Sequence, residues 1–415
     1  MSEAAFLSSR GPAQRLSGWF AAALFGRIAA LAPVGEISVE FPSGERIRHL
    51  GGFPGPSADI RVLSWRLLFR LITGGAVGLA KGYREGEWTS SDLPSLIEWG
   101  ARNGPHFRTV TKVLAVMRVT GRFAHLRNAN TRAGSRRNIL AHYDLGNDFF
   151  GLWLDLSLTY SSAIFRTPDA TLEEAQGAKF IRIAELFKFD GGESVLDIGS
   201  GWGSLALGLA RSASATVTGI TISPAQLALA RARARQLGLE QQVRFELMDY
   251  RDVAGVYDRI VSIEMIESVG REYLPNFFSV IRDRLRPGGI CVLQAITIAE
   301  GRFATYSRRA DFIQRFIFPG GFLPSTTYMR EILEVQGLSL VASETFGESY
   351  ALTLREWRRQ FLAAWPEIEK LGFDESFRRL WEFYLSYCEG GFRAGAIDVG
   401  LYTLAHADRV RAHCG

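Results

Sequence analysis

The order of apolar and polar positions divides the chain into two stretches. In "ISVEFPSGERIRHL" (Ile37 to Leu50) apolar and polar residues alternate, break at Pro42-Ser43-Gly44 and alternate again, which predicts two strands around a turn. "LSWRLLFRLITGGAVGLAKGYREGEW" (Leu63 to Trp88) has helical spacing interrupted by glycines, and "LPSLIEWGARNG" reads as another short helix. "HLRNANTRAGSRRNI" (His125 to Ile139) is basic and without apolar periodicity, and reads as an exposed linker. From about residue 138 short apolar runs and helical segments take turns. "ESVLDIGSG", "ATVTGITIS", "VRFELMDY", "YDRIVSIEMIESV" and "GICVLQAITI" read as strands, and "GSLALGLARSA", "PAQLALARARARQLG" and "YLPNFFSVIRDRLRPGG" as the helices between them. Such alternation predicts an α/β domain, a parallel sheet with helices on both faces, beside a smaller N-terminal α+β domain. In these sheets a ligand binds at the carboxyl ends of the strands.

Composition narrows the picture. A chain of 415 residues, 47% hydrophobic, is long enough for two or three domains. Its formal charge of +5 favours anionic surfaces and is too small to indicate nucleic acid. Cys291, Cys388 and Cys414 have no metal-ligand spacing and form no disulfide framework, so no metal is expected and a reducing cytoplasm fits. The longest apolar stretch, Leu16 to Gly35, is cut by Arg27 and reads as an amphipathic helix rather than a membrane span.

"VLDIGSGWG" (Val195 to Gly203) follows a strand and opens a helix. Gly199 and Gly201 allow a tight turn and close approach of a ligand, and Asp197 ends the strand. Nicotinamide-binding folds usually close their second strand with a carboxylate that holds the ribose, whereas "GITISPAQ" offers Thr221, Ser223 and Gln226. The pattern looks like a class I S-adenosylmethionine methyltransferase with a Rossmann-like sheet. "LMDYRD" then places Asp249 and Tyr250 where such folds meet adenine.

Two glutamates, Glu264 and Glu267, interrupt the apolar run "SIEMIESVG" at a predicted strand end, and burying a carboxylate without a partner is costly. The aromatic stretch "AHYDLGNDFFGLWLDLSLTYSSAIF" (Ala141 to Phe165) reads on its own as a helix and loop, with Phe149, Phe150 and Trp153 in the core.

Taken in order, "HYDLGNDFF", "TYSSAIF", "VLDIGSGWG", "GITISPAQ", "MDYRD", "SIEMIESVG", "FIFPGGFLPS" and "ALTLREWRRQFLAAWPEI" resemble the cyclopropane-fatty-acyl-phospholipid synthase family over about residues 140 to 400. The resemblance implies an enzyme that moves the methyl of S-adenosylmethionine onto the double bond of an unsaturated phospholipid acyl chain. It would work at a peripheral membrane surface on the cytoplasmic side. Cofactor contacts would fall on Tyr160, Ser161, Asp197, Gly199, Gly201, Thr221, Gln226, Asp249 and Tyr250. The family's bicarbonate site would fall on Glu267, Ile296, Tyr350, Ser162 and Gln294. Serine stands here for the family's cysteine, glutamine for its histidine, and Ser268 for the histidine that usually follows the glutamate. Glutamine cannot take up a proton as imidazole can. The product therefore stays open between a cyclopropane and a methyl- or methylene-branched chain. Glu267 is expected to face the transferring methyl or the anion, and Glu264 the cofactor or an arginine.

The resemblance further implies residues 1–125 as a lipid-engagement and assembly domain, 126–137 as a basic linker, and 138–415 as the catalytic domain. Homo-oligomers are the matching expectation. Within the catalytic domain, an insertion at about 300–345 would meet the acyl chain, with Arg308, Arg309 and Arg315 toward phosphate. Two other readings remain at this level: a soluble methyltransferase for another hydrophobic molecule, and an inactive lipid- or cofactor-binding relative.

Overall fold

The computed structural model describes residues 22–23, 25–107 and 145–408. The basic linker expected at 126–137 and the start of the aromatic stretch, 141–144, lie outside them. The chain divides into two compact units, Met1–Arg122 with Phe373–Ala394, and Phe123–Gly372 with Gly395–Gly415.

In the first unit the expected pair of strands forms as β1 (Val34–Glu40) and β2 (Arg46–Leu50), antiparallel, with Ser38 opposite Arg48. A third strand, β3 (Phe53–Val62), runs parallel to β1, and β4 (Trp88–Thr89) closes the edge. The glycine-interrupted segment is two helices, Arg66–Gly74 and Ala76–Arg84, which meet at Gly75 with φ 55°. Asp92 caps the helix Leu93–Asn103 by accepting from Ser95 N–H. The helix Glu375–Arg393, which the resemblance had grouped with the catalytic domain, belongs to this unit. The cause is its apolar face: Phe383 packs on Tyr83 and Trp88, Glu382 accepts from the Tyr83 hydroxyl at 2.9 Å, and Gly390 lies against Ile97 and Glu98.

The second unit is built on seven strands: β5 (Ser194–Ile198), β6 (Thr216–Thr221), β7 (Val243–Leu247), β8 (Tyr257–Ile263), β9 (Leu285–Ile298), β10 (Leu338–Thr345) and β11 (Ile397–His406). Their order is β10-β11-β9-β8-β5-β6-β7. The five strands read from the sequence pair in parallel, and β11 and β10 add an antiparallel edge. Successive strand residues feed two cores, Leu196 and Ile198 on one face and Val195 on the other, so both faces are covered. The chain leaves β5 toward β6 and β7, then returns to build β8 and β9 on the opposite side. That reversal opens a crevice at the carboxyl end of β5. Among the described residues no helix is long and apolar enough to cross a membrane.

Candidate active site

The loops after β5, β6, β7 and β8 surround one cavity of about 170 Å³. Gly199 (φ 85°) and Gly201 (φ 55°) turn the chain after β5, and a Cβ on Gly199 would stand 3.0 Å from the Met265 side chain. The turn is tied to the sheet where Gly199 and Ser200 N–H donate to Ile220 O. Asp197, Gly199 and Gly201 line the cavity from this side. From β6 come Thr221 and Gln226, joined by a 2.8 Å hydrogen bond from the threonine hydroxyl to the amide oxygen. From β7 come Asp249, which accepts from the Arg251 guanidinium at 2.6 Å, and Tyr250, whose ring meets Phe277. Tyr160 and Ser161 close the opposite wall. The nine positions expected to meet the cofactor thus converge on one space.

Its walls suit a cationic ligand. Asp197 is buried, one of its carboxylate oxygens has no hydrogen-bond partner, and burial pushes its carboxyl up to about 7. S-adenosylmethionine carries an ammonium and a sulfonium, and buried Asp197 and half-buried Glu264 both line the cavity.

The Tyr160–Ser161–Ser162 segment is held by two helices. On Leu172–Phe187, buried Gln176 and Lys179 stand one turn apart. Gln176 donates to Ser161 O at 3.0 Å, and the Lys179 ammonium to Ser161 Oγ at 2.7 Å and Ser162 O at 2.9 Å. Burial pulls the Lys179 ammonium down to about 7, against the attraction of Glu264 and Asp155. On Gly347–Ala363, Tyr350, Thr353 and Trp357 share one face. Thr353 accepts from Ala163 N–H, and Trp357 packs on Tyr160 and Trp153. Phe149, Phe150 and Trp153 are fully buried, as read from the sequence.

The positions expected to hold bicarbonate separate into two groups. Ser162 N–H donates to Glu264 Oε1 at 2.8 Å, Gln294 Nε2 to the same oxygen at 2.6 Å, and the Tyr350 hydroxyl to Glu264 Oε2 at 2.6 Å. Ile296 N–H donates instead to Glu267 Oε1 at 2.6 Å, and Glu267 Oε2 is buried without a hydrogen-bond partner. The arginine considered for Glu264 is not its partner; a backbone amide, an amide side chain and a phenol take that place. Glu264 lines the cavity as expected, together with Met265 and Ser268, while Glu267 is not among its lining residues. Burial, with the Glu264 charge added, pushes Glu267 up to about 8. Burial also raises Glu264, but Tyr350, Lys179, Ser162 and Gln294 pull against that rise. Burial and the neighbouring Glu264 charge thus both favour the protonated form of Glu267.

The stretch after β9 folds as helices Glu300–Tyr306 and Phe312–Phe316 with the loop that follows. It closes over the second glutamate, Phe322 N–H donating to Glu267 O at 2.8 Å. Phe312, Ile317 and Phe322 are buried, and Arg308, Arg309 and Arg315 are exposed.

Fold and cavity together define an S-adenosylmethionine-dependent methyltransferase. The family model for mycolic acid cyclopropane synthetase matches residues 130–401, and the chain belongs to that family. It is 37% identical over 410 residues to tuberculostearic acid methyltransferase UfaA1 of Mycobacterium tuberculosis, covering 95% of this chain and 93% of that one. It is 36% identical over 344 residues to the cyclopropane-fatty-acyl-phospholipid synthase of Escherichia coli K12, covering 82% and 86%. Among solved structures it resembles the mycolic acid cyclopropane synthase CmaA1 complexed with SAH and CTAB, with a TM-score of 0.61 and 32% identity over 65% of this chain and 97% of that one. The chain is thus a lipid acyl-chain methyltransferase that uses S-adenosylmethionine.

Lys179, Thr353 and Ser349 were not foreseen; Ser349 accepts from Phe165 N–H at 3.0 Å. A signal existed for Lys179, one of only five lysines in an arginine-rich chain, at helical spacing from Gln176.

Proposed function

We propose that this enzyme methylates the double bond of unsaturated phospholipid acyl chains at a membrane surface and releases a cyclopropane or methylene-branched chain. The observation that carries the reading is the carboxylate pair Glu264 and Glu267 after β8, one acid lining the cofactor cavity and the other close enough for its titration to feel the first. When bound, S-adenosylmethionine supplies an electrophilic methyl on a sulfonium sulfur. The glycine turn, Thr221 with Gln226, and Asp249 with Tyr250 would hold it, and Asp197 would offset its positive charge. Tyr160, backed by Trp153 and Trp357, excludes water from the wall between cofactor and acyl chain. The Glu264 carboxylate stabilises the cation that develops on the acyl chain, as fixed charge in a dry site does well. The exposed Arg308, Arg309 and Arg315 fit a phosphate headgroup, and the neighbouring apolar residues fit the chain.

Three substrates test the reading: dioleoylphosphatidylglycerol vesicles, free oleic acid, and vesicles of saturated lipid. The expected result is methylated acyl chains from the unsaturated vesicles alone. Hydrogenation before gas chromatography then separates ring from branch. Modification of free oleic acid in preference to vesicles would overturn the phospholipid assignment.

A further inference from the structure

A bound bicarbonate needs a cradle of unengaged donors, and in this site the donors are already engaged. Ser162 N–H, Gln294 Nε2 and the Tyr350 hydroxyl all reach Glu264, and Ile296 N–H reaches Glu267. An added anion would find no donor left among these four, and would lie against the two glutamate carboxyls. Bicarbonate therefore does not fit the arrangement.

The backbone shows that the carboxylate is directed there. Glu264 has φ 47°, a left-handed conformation unusual for a residue with a side chain. Its own N–H donates to Gln294 O at 2.8 Å, which locks the turn in that shape. The carboxylate then has about four acceptor positions. Oε1 uses two, on Ser162 and Gln294, and Oε2 uses one, on Tyr350. The remaining position is on Oε2 of a residue that lines the cofactor cavity. Lys179 Nζ donates to Ser162 O at 2.9 Å, on the same residue whose N–H donates to Glu264 Oε1.

Resting on the acyl-chain methylation proposed above, we infer that the Glu264 carboxylate takes the place of the external anion and is itself the base, so that turnover needs no bicarbonate. The alkene π pair forms the bond to the methyl carbon while the carbon–sulfur pair stays on sulfur, leaving a positive charge on the adjacent acyl carbon. The electron pair of a C–H bond on the new methyl then closes the ring. Alternatively, after hydride passes from the methylated carbon to its neighbour, that pair forms a terminal C=C bond. In both cases the proton goes to Glu264 Oε2, and no oxidant or reductant is consumed.

The test has a binding arm and a turnover arm. In the first, ¹³C-bicarbonate is titrated into the full-length protein with S-adenosylhomocysteine bound, and its NMR line width is followed. The wild type is expected to show no saturable binding. Glu264→Gly, which removes the carboxylate and places glycine at a positive φ, is expected to gain it. In the second arm, turnover on dioleoylphosphatidylglycerol vesicles is compared in carbon-dioxide-free buffer and with bicarbonate added. The wild type is expected to run at the same rate in both. Glu264→Gly is expected to lose about a hundredfold and to regain part of that only with bicarbonate. Saturable bicarbonate binding by the wild type, or a wild-type rate that collapses without bicarbonate, overturns the inference whether or not the variant folds. A wild type that methylates no lipid in either buffer defeats the lipid reading instead, and the binding arm still decides what occupies the cradle.

Discussion

Removing one oxygen atom from Tyr350 isolates the contribution of its hydroxyl to the state of Glu264. Phenylalanine keeps the ring and its edge contact with Trp357 at 6.1 Å. What disappears is the 2.6 Å donation to Glu264 Oε2, the largest of the influences that oppose burial at this carboxyl. Hydrogen bonds to charged groups contribute about 1.5–3 kcal/mol, which changes the ratio of ionised to protonated carboxyl roughly ten- to hundredfold at fixed pH. The sign follows: the anion loses a donor, the neutral acid loses less, and Glu264 titrates at higher pH in Tyr350→Phe. The acid limb of kcat/KM, measured as labelled methyl transfer to unsaturated vesicles, is expected to move to higher pH, with the rate recovering on the alkaline side. S-adenosylhomocysteine affinity, measured by calorimetry, is expected to hold. An unmoved acid limb in a folded variant that still binds S-adenosylhomocysteine would refute the reasoning that Tyr350 sets the charge of Glu264.

Two further outcomes follow from the buried acids. Asp197 and Glu267 titrate in the folded chain at about 7 and about 8, above their ordinary 3.8 and 4.5. The stability they contribute is complete below the ordinary values and is lost as pH rises through about 7 and about 8. The ligand-free protein should therefore melt at a lower temperature at alkaline pH than at mildly acidic pH, with a shallower slope in Asp197→Asn; identical slopes in the two proteins would remove Asp197 from this explanation. Glu267→Gln keeps an acceptor for Ile296 N–H but removes the second carboxyl beside Glu264, so turnover should fall by about a hundredfold with S-adenosylhomocysteine affinity retained. Unchanged turnover would take Glu267 out of the reaction.

What was legible in the sequence was what local spacing encodes. The Asp197–Gly199–Gly201 turn, the strand that feeds it and the helix that follows lie within a few residues of each other, and apolar runs mark them directly. Phe53–Val62 was not legible as a strand, because two prolines and a glycine interrupt its alternation, although it pairs with β1 along most of its length. The two glutamates show a different limit. Their placement at a strand end was readable, but the choice of which acid meets Tyr350 was not. That choice depends on a single positive φ at Glu264 and on a helix 86 residues further along. Lys179 was hidden for the same reason, since its partners Ser161 and Ser162 lie on a separate loop.

The most direct measurement supplies S-adenosylmethionine bearing a fully deuterated methyl, together with monounsaturated phospholipid vesicles, and follows the acyl chains by mass spectrometry. The account predicts acyl chains that gain one carbon and keep two of its three deuterons, the third having left to the glutamate base. Formation of S-adenosylhomocysteine with no labelled carbon in the lipid, or a product that retains all three deuterons, would contradict it.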